Sequence, residues 1–184
     1  VIVFFLVRKF ETDRELIEGC LNNNRACQKS IYDRFSSKMF GVCMRYTNSR
    51  EEAEDVLIEG FMKFYTSLSS YRYECSLENW IRRIMINNAI SHFRANARKA
   101  HLYLEDVYVE TDVYHSENIL DKAAAKDMMA LIQKMPSGYK VIFNLFAVEG
   151  YSHKEIAEQL NITESTSKSQ YSKARKWLIK RIEK

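Results

Sequence analysis

Along most of the chain, apolar residues recur every three or four positions, the period of helices that bury one face. Thr12-Asp13 caps a first helix with Glu15 in its opening turn. Leu16, Ile17 and Leu21 share a face before Asn22-Asn23-Asn24 interrupts it. A second helix is predicted from about Arg25 to Tyr46, with Ile31, Phe35, Met39 and Val42 as its buried stripe. Asn48-Ser49 ends it and caps a third. That helix opens on Glu51-Glu52-Ala53-Glu54-Asp55, where acidic side chains suit the helix dipole, and runs through Val56, Leu57, Phe61 and Phe64 to about Leu68. Ser69 to Ser76 reads as a polar, Tyr-rich loop. A fourth helix, about Leu77 to Arg98, places Leu77, Trp80, Ile81, Ile84, Met85, Ala89 and Phe93 at helical spacing.

The period then lapses. Residues 102–121 sustain no pattern and read as a linker. Helical patterning resumes near Lys122 with Met128, Met129, Leu131 and Ile132, and stops at Pro136-Ser137-Gly138. Val141 to Val148 is a further apolar helix ended by Gly150. Ser152 to Leu160 is short, Asn161-Ile162-Thr163 is a turn, and a last helix runs from Glu164 or Ser165 to about Ile182. The prediction is an all-α chain in four parts: an extension over residues 1–12, a four-helix unit over 13–100, a tether over 101–121 and a second helical unit over 122–184.

Composition narrows this picture. The 184 residues suffice for one domain or two small ones, and a 46% apolar share supports packed cores. One Pro and five Gly are too few for a turn-rich β fold. There is no apolar run long enough for a transmembrane helix. Val1 to Val7 is apolar and is followed by Arg8-Lys9, the reverse of a secretory signal. With Val in place of an initiator Met, this segment reads as a non-native start without a function of its own; the other reading is a short strand or extra turn packed on the first unit. Cys20, Cys27, Cys43 and Cys75 form no C-x-x-C pair and have no His at zinc-finger spacing. Cys20 and Cys27 lie seven apart and can share a helix face. All four read as reduced, mostly buried thiols of a cytoplasmic protein, with no metal or cofactor implied.

Charge is modest in sum, 28 basic against 24 acidic residues, but uneven. Residues 102–121 hold six acids and no base. Residues 165–184 hold seven Lys or Arg against Glu183, and residues 80–101 hold five bases and no acid. The stretch from Tyr151 to Arg175 also has the parts of a helix-turn-helix. Ile156, Ala157 and Leu160 form a short apolar helix, Asn161 to Thr163 a tight turn, and Ser165, Thr166, Ser167, Lys168, Ser169 and Gln170 a small, polar start to the second helix. Ala157 is small where the helices approach. Ile162 and Ala174 or Leu178 seal the space between them. A basic helix closing a bundle is the plain alternative; the turn, the small residue and the charge together favour DNA binding. In the first unit, bases beside Tyr71, Tyr73, Trp80, His92 and Phe93 suit single-stranded nucleic acid. Trp80 and Phe93 by themselves read as core. The acidic third helix is either solvated surface or a docking face for a basic partner.

Glu52-Ala-Glu-Asp-Val-Leu-Ile-Glu-Gly-Phe-Met-Lys-Phe64 and Ser76-Leu-Glu-Asn-Trp-Ile-Arg-Arg-Ile-Met-Ile-Asn-Asn-Ala-Ile-Ser-His-Phe-Arg94 resemble the second region of bacterial RNA polymerase sigma factors. Met135-Pro-Ser-Gly-Tyr-Lys-Val-Ile-Phe-Asn-Leu-Phe-Ala-Val-Glu-Gly-Tyr-Ser-His-Lys-Glu-Ile-Ala157 and the helix-turn-helix after it resemble the fourth region. The resemblance covers residues 13–100 and 122–182, and the order and acidic linker are similar to the small extracytoplasmic-function group of the sigma-70 family. It implies a non-enzymatic specificity subunit whose partners are core RNA polymerase and promoter DNA, with an anti-sigma factor as a further partner of many such proteins. No small-molecule substrate and no membrane insertion are implied.

Carried over by position, the resemblance implies that Glu54, Asp55, Ile58, Glu59 and Phe61 face a polymerase coiled coil, Ile58 standing where the family usually has Gln. Tyr71, Tyr73 and the loop to Ser76 would meet the minus-ten element. Asn87 and Ser91 would hold a flipped base, and Arg82, Arg83, Arg94 and Arg98 its backbone. Lys168, Ser169, Gln170 and Ser172 would read the minus-thirty-five element while Lys173, Arg175 and Lys176 hold phosphates. The family often has Arg at Gln170 and Val at Ser167; losing that Arg weakens the electrostatics or shifts base preference toward adenine, and Ser167 loosens a usually apolar seat. The acidic tether would thread toward the polymerase cleft and mimic nucleic acid. A stand-alone helix-turn-helix regulator is the second reading; it needs neither the acidic third helix nor Asn87. An enzyme is disfavoured: there is no Gly-rich phosphate loop, and His92, His101, His115 and His153 are scattered.

Overall fold

The structure, a computed structural model, describes residues 12–99, 128 and 130–182. The N-terminal extension, the acidic tether and residues 183–184 lie outside it. All regular structure among the described residues is helical. No described helix is long and apolar enough to cross a membrane.

Four helices build the first unit: α1 (Asp13–Leu21), α2 (Arg25–Met44), α3 (Arg50–Ser67) and α4 (Leu77–Lys99). Each start is set by local chemistry. Thr12 Oγ1 accepts from the Glu15 amide while the Glu15 carboxylate accepts from the Thr12 amide, a reciprocal capping box. Asn24 caps α2 through the Ala26 and Cys27 amides, Ser49 caps α3 through the Glu52 amide, and Ser76 Oγ accepts from the Asn79 amide at the start of α4. A 3-10 turn, Leu68–Ser70, follows α3.

The apolar stripes converge as their spacing predicts. Ile31, Met39, Val56, Phe64, Ile81 and Met85 are fully buried at the centre. α3 and α4 approach closely at Gly60, where a Cβ would stand 2.2 Å from Met85 Sδ. Cys20 and Cys27 are not on one helix: the turn at Asn22–Asn24, with Asn23 at φ 57°, separates α1 from α2, and both thiols point into the core between them. Cys43 is also buried, and Cys75 is exposed.

In the second unit, residues 130–133 are helical, and α5 (Ser137–Phe143), α6 (His153–Leu160) and α7 (Glu164–Ile182) follow. Pro136-Ser137-Gly138 both ends one helix and starts the next, because Pro136 occupies the cap position of α5. The apolar helix expected over Val141 to Val148 therefore begins earlier. It finishes as a π-helical turn, Asn144–Val148, that widens the last turn before Gly150 at φ 78°. Ile132, Met135, Ala174 and Leu178 form a small core of their own. Val141, Ile142, Leu145, Ile156 and Leu160 instead join the apolar cluster of the first unit, so the two units are packed on each other.

Candidate nucleic-acid interface

The acidic face lies on α3. Glu54, Asp55, Ile58 and Glu59 are exposed along its outer side, and Arg50 pairs with Glu54 at 2.8 Å. The Glu51 carboxyl is held below its ordinary pKa by the amides of the helix start and the Ser49 hydroxyl. Phe61, expected on this face, is not available to a partner. It is 3% exposed and packs against Tyr32, Phe64 and Tyr65, because it falls on the core stripe with Leu57 and Phe64. Its place on the surface is taken by Met62, 64% exposed and one turn beyond Ile58. The four-residue spacing of Ile58 and Met62 was a readable signal for an apolar strip among the acids.

The loop after α3 is held in shape by aromatic packing. The Tyr71 ring lies against Trp80 at 4.9 Å and Tyr73 at 4.7 Å, and its hydroxyl donates to the Cys75 carbonyl at 2.5 Å. Burial raises the Tyr71 pKa, so it remains a donor at neutral pH. Tyr73 is exposed and sits at φ 60°, a left-handed conformation that costs a non-glycine residue about 1 kcal/mol. The Arg14 guanidinium lies 6.0 Å from its ring centroid. Trp80 packs against Phe64 and Phe93 borders the core, as their spacing indicated.

On α4, Asn87 and Ser91 are exposed one turn apart, and the Ser91 hydroxyl donates to the Asn87 carbonyl at 2.9 Å. The Asn87 amide is thus presented outward. Its neighbour Asn88 is buried and structural: Nδ2 donates to the Val56 carbonyl at 2.8 Å and Oδ1 accepts from Lys63. Arg83 is exposed. Arg82 is turned to the second unit, where Nε and Nη2 bond the Glu149 carboxylate at 2.9 and 2.8 Å. Arg94 Nη1 donates to the Gln159 carbonyl at 3.4 Å. The Arg98 side chain lies outside the described residues.

The helix-turn-helix takes its expected form. Ser152 and Glu155 make a capping box at the start of α6, and Asn161 ends it in the left-handed conformation at φ 56°. Thr163 Oγ1 accepts from the Thr166 amide to start α7. Lys168, Ser169, Ser172, Lys173, Arg175 and Lys176 are all exposed on α7, and Lys168 pairs with Glu164 at 2.6 Å. Gln170 is a correction: at 5% exposed it belongs to the packed face of α7 with Ala174 and Leu178, not to a groove-facing one. Ser167 is fully buried and bonded to His153 Nδ1 at 2.9 Å. The His153 ring also stacks on Phe146 at 4.2 Å, and burial lowers its pKa. The polar residue in a seat that is usually apolar is therefore matched by a polar partner, a pairing fourteen residues apart that no local pattern reveals.

Two family profiles match the chain. "Sigma-70 region 2" matches residues 31–99, and "Sigma-70, region 4" matches residues 125–178. The "ECF RNA polymerase sigma-E factor" of Haemophilus influenzae is 28% identical, covering 94% of this chain and 96% of that protein. The "RNA polymerase sigma-H factor" of Pseudomonas aeruginosa is 25% identical over 94% of this chain and 95% of that protein. Among solved structures, a sigma factor from Bartonella quintana in complex with its anti-sigma factor covers 84% of this chain and 96% of that one, at 19% identity and a TM-score of 0.49.

Proposed function

The chain belongs to the sigma-70 family, in its extracytoplasmic-function group, and from that premise we propose which of its residues carry the work of a sigma factor. It is an RNA polymerase sigma factor: it directs core polymerase to promoters and helps open the minus-ten element. Such factors are initiation factors rather than catalysts. As a polymerase subunit it would act in the cytoplasm, and an anti-sigma factor that silences it would have to block the polymerase face or the DNA faces.

Glu54, Asp55, Ile58 and Glu59 form the polymerase face, extended by Met62. Acids at the rim steer a basic partner and the apolar strip supplies buried area once docked. Tyr73, Arg83, Asn87 and Ser91 form the minus-ten surface, with Arg82 and Arg94 joining it when freed from the second unit, and with Arg98 assigned by position alone. A flipped base offers its pairing edge to an amide such as Asn87, while the arginines hold the backbone. Lys168, Ser169 and Ser172 face the minus-thirty-five groove, with Lys173, Arg175 and Lys176 on its phosphates. Gln170 contributes to packing and not to base reading.

The observation that carries this reading is the pairing of two matched regions, in order, with an acid-and-apolar face on α3. The test is co-elution with core RNA polymerase. The wild type is expected to form a complex that Asp55→Arg, exposed and outside the core, abolishes. A wild type that ignores polymerase yet shifts duplex DNA with a steep salt dependence would instead make the chain a stand-alone regulator.

A further inference from the structure

Helix α6 is anchored by Ile156, Ala157 and Leu160, apolar side chains whose burial holds a helix in place without fixing a direction. A directional contact crosses from α6 to α7 at the end of α7 where base reading begins. Ser167 is fully buried on α7, and a buried hydroxyl needs a partner. The hydroxyls around it bond locally: Thr163 and Thr166 pair with each other, and Ser169 donates to the Thr166 carbonyl at 3.0 Å. The Ser167 hydroxyl instead reaches His153 Nδ1, on the first residue of α6, at 2.9 Å.

The imidazole is itself held on several sides. The capping box of Ser152 and Glu155 fixes the backbone where it stands. Phe146, in the π-helical turn, stacks on its face at 4.2 Å and 13°. Tyr171 meets it at 5.8 Å and 61°, and packs on Phe146 at 4.5 Å. Burial, and then the charge of Lys168, lower the His153 pKa against the pull of Glu164, so the ring is mostly neutral at pH 7. Ser167 and Tyr171 are four residues apart and lie one above the other on α7. His153 therefore grips two successive turns, and a grip at two points resists both rotation of the helix about its axis and sliding along it. At about 100° per residue, Lys168, Ser169 and Ser172 project away from that grip, and all three are exposed. Rotation of α7 would carry these short-range contacts off their base edges. Lys173, Arg175 and Lys176 hold phosphates through long, flexible side chains and tolerate such a shift.

We propose that His153 is a positioning residue for promoter reading: through Ser167 and Tyr171 it sets the rotation at which the first turns of α7 enter the groove. It touches no base. It acts on discrimination between sequences and not on the general attraction of the second unit for DNA. This rests on the assignment of Lys168, Ser169 and Ser172 to the minus-thirty-five groove.

The test uses holoenzyme assembled from the full chain and core RNA polymerase. The wild type selects an enriched duplex from a randomised library, and a copy scrambled in the upstream element alone is the reference. Affinities for the two are read by fluorescence anisotropy at one salt concentration. His153→Phe keeps a ring on Phe146 and removes the bond, and Ser167→Ala removes it from the other side. Each is checked for native helicity by circular dichroism and for co-elution with polymerase, so a misfolded variant leaves the other to decide. Each is expected to lower the preference for the enriched duplex about tenfold, the discrimination one base contact supplies, with affinity for the scrambled copy unchanged. The double variant should lose no more than either single one, because the same bond is missing in all three. His153→Asn sets an amide where Nδ1 stands and should recover most of the preference. Unchanged preference in the folded variants, an equal loss on both duplexes, additive losses, or no recovery with asparagine overturns the positioning role. Lys168→Ala combined with Ser172→Ala judges the assignment beneath it. If that pair loses the preference while His153→Phe keeps it, α7 reads DNA without the grip and only the positioning role falls. If neither changes the preference, α7 does not read sequence and the assignment itself falls.

Discussion

The two halves of this molecule are held together in different ways. The first unit encloses one core within four helices of 9 to 23 residues, and buried polar groups at its centre are matched from within. Asn88 reaches the Val56 carbonyl, and the Tyr65 hydroxyl donates to the Gln28 carbonyl at 2.8 Å. The second unit has short helices, a four-residue core, and an apolar face that finishes its burial on its neighbour. A small unit buries too little surface to be more than marginally stable alone. Here docking on the first unit adds to that burial.

The comparison breaks most visibly at Phe64, fully buried where α3 meets Trp80 of α4. Phe64→Ala is expected to cost about 4 kcal/mol. Because the second unit leans on this core, urea unfolding followed by circular dichroism should show both halves melting earlier and together. Melting of the first unit alone would show that the second needs no platform. Asn88→Ala is next, at about 2 kcal/mol, since it removes the buried amide's bonds to the Val56 carbonyl and to the charged Lys63 amine. Being internal to the first unit, it should lower the urea midpoint and leave the compactness of the native chain unchanged.

How much of this was readable in the sequence follows the same division. The first unit's helices, stripes and caps are local features, and Thr12, Asn24 and Ser49 cap where their chemistry says they should. The helix-turn-helix is equally local. What the sequence does not display is pairing at long range. Nothing near Glu149 indicates Arg82, 67 residues away, and nothing near Lys140 indicates Thr47, 93 residues away. The same limit explains the site residues that moved. Phe61 and Gln170 were placed by alignment with a motif, but the helical phase of each buries it against side chains from elsewhere in the chain. Ser167 and His153 are the converse, two departures that make sense only once they meet.

A smaller effect probes the second unit from inside. Ser152→Ala removes the hydroxyl that caps α6 by accepting from the Glu155 amide and that donates to the Glu155 carboxylate, leaving that carboxylate only the bond from the residue 152 amide. A loss of about 1.5 kcal/mol is expected. If the division between the halves holds, hydrogen exchange should quicken in α6 and α7 while α3 and α4 remain protected.

The finest test uses pH. Lys140 is fully buried against the end of α2, and burial lowers its pKa from 10.5 to about 8, with Glu52 opposing that shift. A lysine whose pKa is depressed in the folded chain disfavours folding wherever it must be charged. Below pH 8 both the folded and unfolded chains hold the proton and the full penalty applies. Between pH 8 and 10.5 the folded chain gives up its proton first, so this contribution to stability grows as pH rises. The usable window is pH 8 to 9. Within it the thiols of Cys20 and Cys43, which burial raises from 9.0 to about 11 and about 12, begin to ionise in the unfolded chain and pull stability the other way. The contribution of Lys140 across that window is a gain of about 1 kcal/mol, read as the difference between the urea midpoints of the wild type and of a variant without the amine, which share the thiols. Lys140→Met keeps the packing and removes the titrating group, so it should lack that gain. A profile as steep in the methionine variant as in the wild type would place the titration elsewhere and leave Lys140 as packing alone.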